Sequence, residues 1–248
     1  MNFKAGLNIL MLVIAILSFA GFFSYRTPQF DDEDMIVNIN DQFQNHFITE
    51  KDVRDLIKRT CKVTRDSLEE PNLRSIEIAL LQHKFVRKAQ VTRNHNAKII
   101  VNIEQDRPIA RLISPYGRNG YISARYTVLP LSKVFTARVI VFTGAGTDSL
   151  FSEKFLASPQ SKFIRQFINY VNSNEFWRTQ IAHIDIDQRM NMVFYPLVGS
   201  ERIEFGSAQN FYVKLKKIEK YYFEILPKVG WNEYSVVNVK FKDQIICR

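Results

Sequence analysis

The chain has 248 residues, 46% of them apolar and 24% charged, with a formal net charge of +9. That length and composition suit a globular protein with one generous core or two modest ones. Lys and Arg alternate with Asp and Glu outside short runs such as Lys214 to Lys220, so the charge speaks for solubility and against a nucleic-acid partner.

The first element is of membrane-spanning size. Residues 5–25, "AGLNILMLVIAILSFAGFFSY", carry no charge, and a helix of that length rises about 30 Å, the thickness of a bilayer's hydrocarbon core. Lys4 precedes it, while Arg26 and then the acidic run Asp31 to Asp34 follow. The positive-inside bias therefore sets residues 1–4 in the cytoplasm and the bulk of the chain outside it. The alternative is a cleaved signal peptide, because "SFA" at Ser18 to Ala20 is a small-x-small site. The apolar run exceeds the usual signal core, and a retained single-pass anchor is the expectation. Residues 26–34 then form a polar tether. Cys61 and Cys247 are the only cysteines and lie near opposite ends of the chain, so two thiols are expected rather than a bridge. His46, His83, His95 and His183 have no metal-ligand spacing.

Beyond the tether, "MIVNI" at Met35 to Ile39 reads as a strand. Thr49 is placed to cap a helix with Asp52 three residues on, and Val53, Leu56 and Ile57 share one face. A second helix begins near Pro71 and ends about His83, with Leu73, Ile76, Leu80 and Leu81 at core spacing. "VRKAQVTR" and "AKIIVNIE" follow as strands joined by the turn "NHN" at Asn94 to Asn96. The order to this point is strand, helix, helix, strand, strand.

"QDRPIAR", Gln105 to Arg111, breaks that pattern with a proline, which marks either a domain join or a kinked edge strand. Short apolar runs come next: "IARLIS", "GYISA", "TVLPL" and "ARVIVFTG". A helix capped by Ser158 with Pro159 in its first turn puts Phe163, Phe167, Ile168 and Val171 on one face. Strands resume at "QIAHIDID", "MVFYPL" and "ERIEFG". The last helix runs from about Ala208 to Leu226, with Leu215, Ile218, Tyr222 and Ile225 at core spacing, and "SVVNVKF" and "QIICR" close the chain.

Few of these segments suggest chemistry. "TGAGTD" at Thr143 to Asp148 lacks the lysine and spacing of a phosphate loop and reads as a turn. Asp185 and Asp187 alternate as on a solvated strand face. "FWRTQ" at Phe176 to Gln180 reads as packing where a helix meets a strand, and "KLKKIEKYY" as an ordinary amphipathic helix. No catalytic, metal-ligating or cofactor-binding residue is expected, and an envelope hydrolase lacks a nucleophile–base or paired-acid motif. The end of the chain is more informative. If "QIICR" pairs with "SVVNVKF", its far side is a sheet edge that either closes the sheet or accepts a strand from another chain.

At this point the chain resembles the FtsQ/DivIB family of bitopic bacterial cell-division proteins. "LRSIEIALLQHKFVRKAQVTRNHNAKIIVNIEQDRPIARL" resembles the family's POTRA domain running into its β domain. "GYISARYTVLPLS", "VIVFTG", "FWRTQIAHIDI", "VGSERIEFG" and "VNVKFKDQIICR" resemble the β-domain signatures in order. Ser123 stands where an aspartate is common, Tyr126 where a glycine is frequent, and Asn238, Val239 and Lys240 replace a common "DLR"; these departures resemble a Bacteroidota-type branch. The resemblance implies an α+β protein: a transmembrane helix over 5–25, a βααββ POTRA domain over 35–105, and over 106–248 a mixed β domain with two main helices. It implies a non-enzymatic scaffold of the division septum in the inner membrane, without cofactor, nucleic acid or small-molecule substrate. Its partners would be FtsB-like and FtsL-like proteins, with other division proteins at the POTRA domain. Partner-binding residues on this reading are Gln244, Ile245, Ile246, Cys247 and Arg248, with Tyr222 on the last helix as a companion. A POTRA-bearing transport or outer-membrane assembly factor is the alternative, although it would usually carry several POTRA repeats or a barrel. The two halves are expected to separate at Gln105 to Pro108, with few residues crossing the join.

Overall fold

The computed structural model describes residues 35–40, 46–63, 72–96 and 98–248. The anchor expected over 5–25, the tether over 26–34 and the helix start at Pro71 lie outside the described residues. Among the described residues no helix is long and apolar enough to cross a membrane.

The first half is a three-stranded sheet under two helices. Strands β1 (Met35–Asn40), β2 (Val86–Arg93) and β3 (Ile99–Gln105) lie in the order β1-β3-β2, with β1 parallel and β2 antiparallel to the centre. Helix α1 (Glu50–Val63) begins in a reciprocal cap: Asp52 N–H donates to Thr49 Oγ1 at 3.2 Å and Thr49 N–H to Asp52 Oδ2 at 2.9 Å. Helix α2 (Leu73–Leu81) is capped by Asn72, whose side chain accepts from the amides of Arg74 and Ser75. Val53, Ile57, Ile76 and Leu80 meet Val91, Ile99, Val101 and Ile103 in one core. Leu81, expected inside, is 47% exposed, because it falls one position past the buried pair Ile76 and Leu80. The turn joining β2 to β3 is held by Asn94 Oδ1, which accepts from Asn96 N–H and Lys98 N–H.

The second half is a nine-stranded sheet covered on one face by helices. Its strands are β4 (Pro108–Ile113), β5 (Asn119–Ser123), β6 (Val128–Leu129), β7 (Ile140–Thr143), β8 (Ile181–Ile186), β9 (Met192–Pro196), β10 (Arg202–Gly206), β11 (Val236–Asn238) and β12 (Ile246–Cys247). They are ordered β12-β11-β10-β9-β8-β7-β4-β5-β6, with β4/β7, β7/β8 and β10/β11 parallel and the rest antiparallel. Short helices α3 (Thr147–Leu150) and α4 (Glu153–Ala157) precede α5 (Lys162–Ser173) and α6 (Glu175–Gln180), and α7 (Phe211–Lys220) continues through a π-helical turn, Tyr221–Ile225, into α8 (Leu226–Val229). The main core joins Phe142, Phe167, Ile168, Trp177, Ile184, Phe194, Phe205, Leu215 and Ile218.

Two helix faces differ from the periodicity. In α5, Ile164 is buried and Phe163 is 41% exposed, because Pro159–Ser161 forms a 3-10 turn and the α-helix starts only at Lys162. After α7 the π turn inserts a residue, so Tyr221, Tyr222 and Leu226 are buried together and Ile225 only partly. "TGAGTD" is a turn leading into α3, with Gly144 at φ +90 and Thr147 Oγ1 donating to Gly144 O at 2.7 Å.

The join itself is well packed, contrary to the expectation that few residues cross it. Phe47 and Phe85 from the first half stack at 4.5 Å, and Phe47 meets the ring edges of Tyr121 and Phe135 from the second. Leu129 and Ala137 complete that cluster. Gln105 Oε1 accepts from the amides of Phe47 and Ile48, and Asp106, 1% exposed, receives the Arg125 guanidinium at 2.6 Å.

Candidate functional site at the C-terminal sheet edge

A nine-stranded open sheet ends in two edges, and this one treats them differently. At the far edge, the outward amide of Val128 on β6 donates to Glu153 Oε1 at 2.9 Å. The same device closes one edge of the small sheet, that of β2, where Val91 N–H donates to Glu77 Oε1 at 3.0 Å, while no such bond is seen on the other edge, β1, among the described residues. A carboxylate seated on an edge amide occupies the donor that an incoming strand would need.

Among the described residues the C-terminal edge has no such guard. Strand β12 pairs antiparallel with β11 through Val237↔Cys247 and Asn238↔Ile246. Arg248 N–H donates to Val236 O at 3.0 Å and Val236 N–H to Arg248 O at 2.8 Å, which makes Val236–Arg248 a hydrogen-bonded pair. Antiparallel pairs alternate, so Ile246 also directs its N–H and C=O at β11, whereas those of Cys247 point away from the sheet. Among the described residues nothing bonds them. Ile246 is thus a hairpin residue, and Cys247 presents its N–H and C=O outward.

Side chains alternate in the same way. Cys247 and Ile245 turn inward against the main core, and burial pushes the Cys247 thiol pKa up. Ile246, 39% exposed, and Arg248 share the open face. Gln244 is exposed on the approach to the strand. Tyr222, expected to offer an edge beside the strand, is 8% exposed and lies under the sheet with Phe176 and Tyr221. Burial, ahead of neighbouring charge, holds its phenol well above the ordinary range. Its place is support from beneath. Cys61, on α1, lies in the first half, and the two cysteines are thiols.

The aspartates and lysines singled out from the sequence prove structural in their contacts. Asp185 accepts from Thr143 Oγ1 at 3.0 Å, and Asp187 builds a turn by accepting from the amides of Arg189 and Asn191. Lys217 Nζ donates to the carbonyls of Val239 and Phe241, fastening α7 to the segment after β11.

Residues 107–248 match the family model described as FtsQ/DivIB, C-terminal related, and residues 33–104 match the POTRA-like domain. The chain belongs to the FtsQ/DivIB family. A comparison with curated proteins finds no match. Membership in the FtsQ/DivIB family points to a scaffold role in cell division and to the membrane at the division site.

The structure also accounts for two departures from the FtsQ/DivIB pattern. Ser123 Oγ accepts from the amides of Arg125 and Thr127, the bonds an aspartate would make at the head of this turn. Tyr126 has φ +62, the left-handed conformation that favours glycine. Its side chain is pinned to α5: Asn169 Nδ2 donates to its hydroxyl at 2.7 Å and the Arg165 guanidinium lies 5.0 Å from its ring.

Proposed function

We propose that this FtsQ/DivIB protein is a non-enzymatic divisome scaffold, anchored in the inner membrane by residues 5–25 with its bulk in the periplasm. It captures FtsB-like and FtsL-like partners by strand addition at Cys247 and so couples early division proteins to septal peptidoglycan synthesis. The observation that carries this reading is the contrast between edges: glutamates cover Val91 and Val128, and nothing among the described residues covers Cys247. Main-chain bonds to the N–H and C=O of Cys247 would supply affinity, and the side chains of Ile246 and Arg248 would read the partner. Tyr222 belongs to the core beneath the sheet and would support the site without touching a partner.

The register selects the test. Proline at Ile246 removes a bond within the β11–β12 hairpin, so it breaks the site from inside. Proline at Cys247 removes only the outward donor, a position an edge strand tolerates. Crosslinking capture from membranes should therefore lose both partners in Cys247→Pro while the protein keeps its membrane level and melting transition. A well-folded Cys247→Pro protein that captures both at wild-type yield would contradict docking at this edge.

A further inference from the structure

One carboxylate on the open face of the sheet has more partners than its strand requires. Glu204, on β10, has a side chain 15% exposed and draws in four groups from three segments. Its Oε2 accepts from Asn238 Nδ2 at 2.8 Å on β11 and from Lys240 Nζ at 2.9 Å just beyond it. Its Oε1 faces Arg202 Nη2 at 3.2 Å on its own strand and Arg248 Nη2 at 3.6 Å at the chain's end. The stem of Lys240 lies over Gly206, whose φ of +72 and missing side chain leave the room.

Strand β12 needs such a hold. It is two residues long, and Arg248 is its last anchoring point. The Arg248 carbonyl accepts from Ser235 N–H, Val236 N–H and Ser235 Oγ on one side, while its guanidinium reaches Glu204 across β11 on the other. A short edge strand with so few ladder bonds frays readily. A strand in several registers is a poor template, since a partner's alternate bonds must all find their mates at once.

We propose that Glu204 is a positioning residue for partner docking: it latches β10, β11 and the C-terminal residue together, and so holds the outward groups of Cys247 in place before a partner strand arrives. This rests on the reading of β12 as the docking edge. The latch works through charge, so salt weakens it. Glutamine at 204 keeps the shape and the hydrogen bond to Asn238 but loses the attraction to Lys240, Arg202 and Arg248.

The test uses the full-length protein in detergent. Hydrogen exchange is followed in a peptide covering residues 241–248, at low and high NaCl, for wild type, Glu204→Gln and Arg248→Gln. Both variants should exchange there on the order of tenfold faster than wild type at low salt. Added NaCl should speed wild type toward that rate, move Arg248→Gln less because only the Lys240 and Arg202 pairs remain, and leave Glu204→Gln unmoved, a response that a purely packing role for Glu204 would not give. Arg248→Gln guards against a folding defect at 204, because it changes only an exposed side chain and leaves the backbone bonds of Arg248 to Ser235 and Val236 in place. In parallel, FtsB-like partner capture should fall in both variants and recover in part when the partner is in excess. Unchanged exchange in both variants overturns the latch whatever the capture shows. Faster exchange with full capture, while Cys247→Pro abolishes capture, overturns positioning and leaves the docking edge standing. Full capture by Glu204→Gln, Arg248→Gln and Cys247→Pro alike removes the docking edge and the positioning role with it.

Discussion

Single residues carry strain and protection in this fold. Tyr126 adopts a conformation that costs a non-glycine residue about 1 kcal/mol, and its contacts to Arg165 and Asn169 offset that cost. Tyr126→Ala keeps the strain and loses the contacts, whereas Tyr126→Gly loses both. Denaturant unfolding should therefore rank wild type above Gly and Gly above Ala, the last two separated by about 1 kcal/mol; Ala at or above Gly would mean the turn is unstrained. Glu77 is the clearest edge guard. The Val91 amide bond, partly opposed by desolvation, holds its carboxyl below the ordinary range, so its contribution is fully present above the unfolded value of about 4.3 and is lost as pH falls through the lower folded value. Amide exchange at Val91, corrected for the intrinsic rate, should rise over that acidic window in wild type and show no such step in Glu77→Gln.

At the scale of elements, α7 and its π turn support the last strands. Tyr222 lies in their shared core, so Tyr222→Ala should cost about 3 kcal/mol, while Tyr222→Phe, which keeps the ring, should cost far less. Thermal melts of the two variants would check this, and partner loss in Tyr222→Ala alone would say nothing of contact. The same helix shows where sequence reading succeeds and stops. Leu215 and Ile218 repeat at α-helical spacing and were legible, as were the strand–helix–helix–strand–strand succession of the first half and Thr49 and Asp52 at the cap, because local chemistry dictates them. The π turn was not legible: nothing in "KYYFEIL" announces an inserted residue, and only the packed core shows both tyrosines inside. Helices α3 and α4 are single turns, too short for a periodic signal. The end strand was foreseeable from its alternation with "SVVNVKF", but which of its amides faces outward depends on register. The glutamates that guard and latch the edges were invisible for a related reason. Each acts on a group 14, 25 or 34 positions away, where no spacing rule connects them.

For the whole molecule, the aromatic cluster of Phe47, Phe85, Tyr121 and Phe135, with the bond from Asp106 N–H to Phe85 O at 2.8 Å, holds the two sheets against each other. We propose that the halves remain separable units: residues 106–248 retain the main core, yet alone they would bare Tyr121, Leu129 and Ala137. That fragment should give a cooperative, β-rich melt at a lower midpoint than the full chain, and Phe47→Ala should destabilise the full chain by about 3 kcal/mol. A fragment with no transition would place both sheets in one folding unit. On the proposed reading, such a clamp would fix the geometry between the first half and the C-terminal edge. The central claim, docking at an unguarded edge, is tested most directly by amide exchange of the full-length protein with and without its FtsB-like partner, resolved at Cys247, Val91 and Val128. The account predicts strong new protection of Cys247 on binding and none at Val91 or Val128. New protection at Val91 or Val128 with Cys247 unchanged would contradict it.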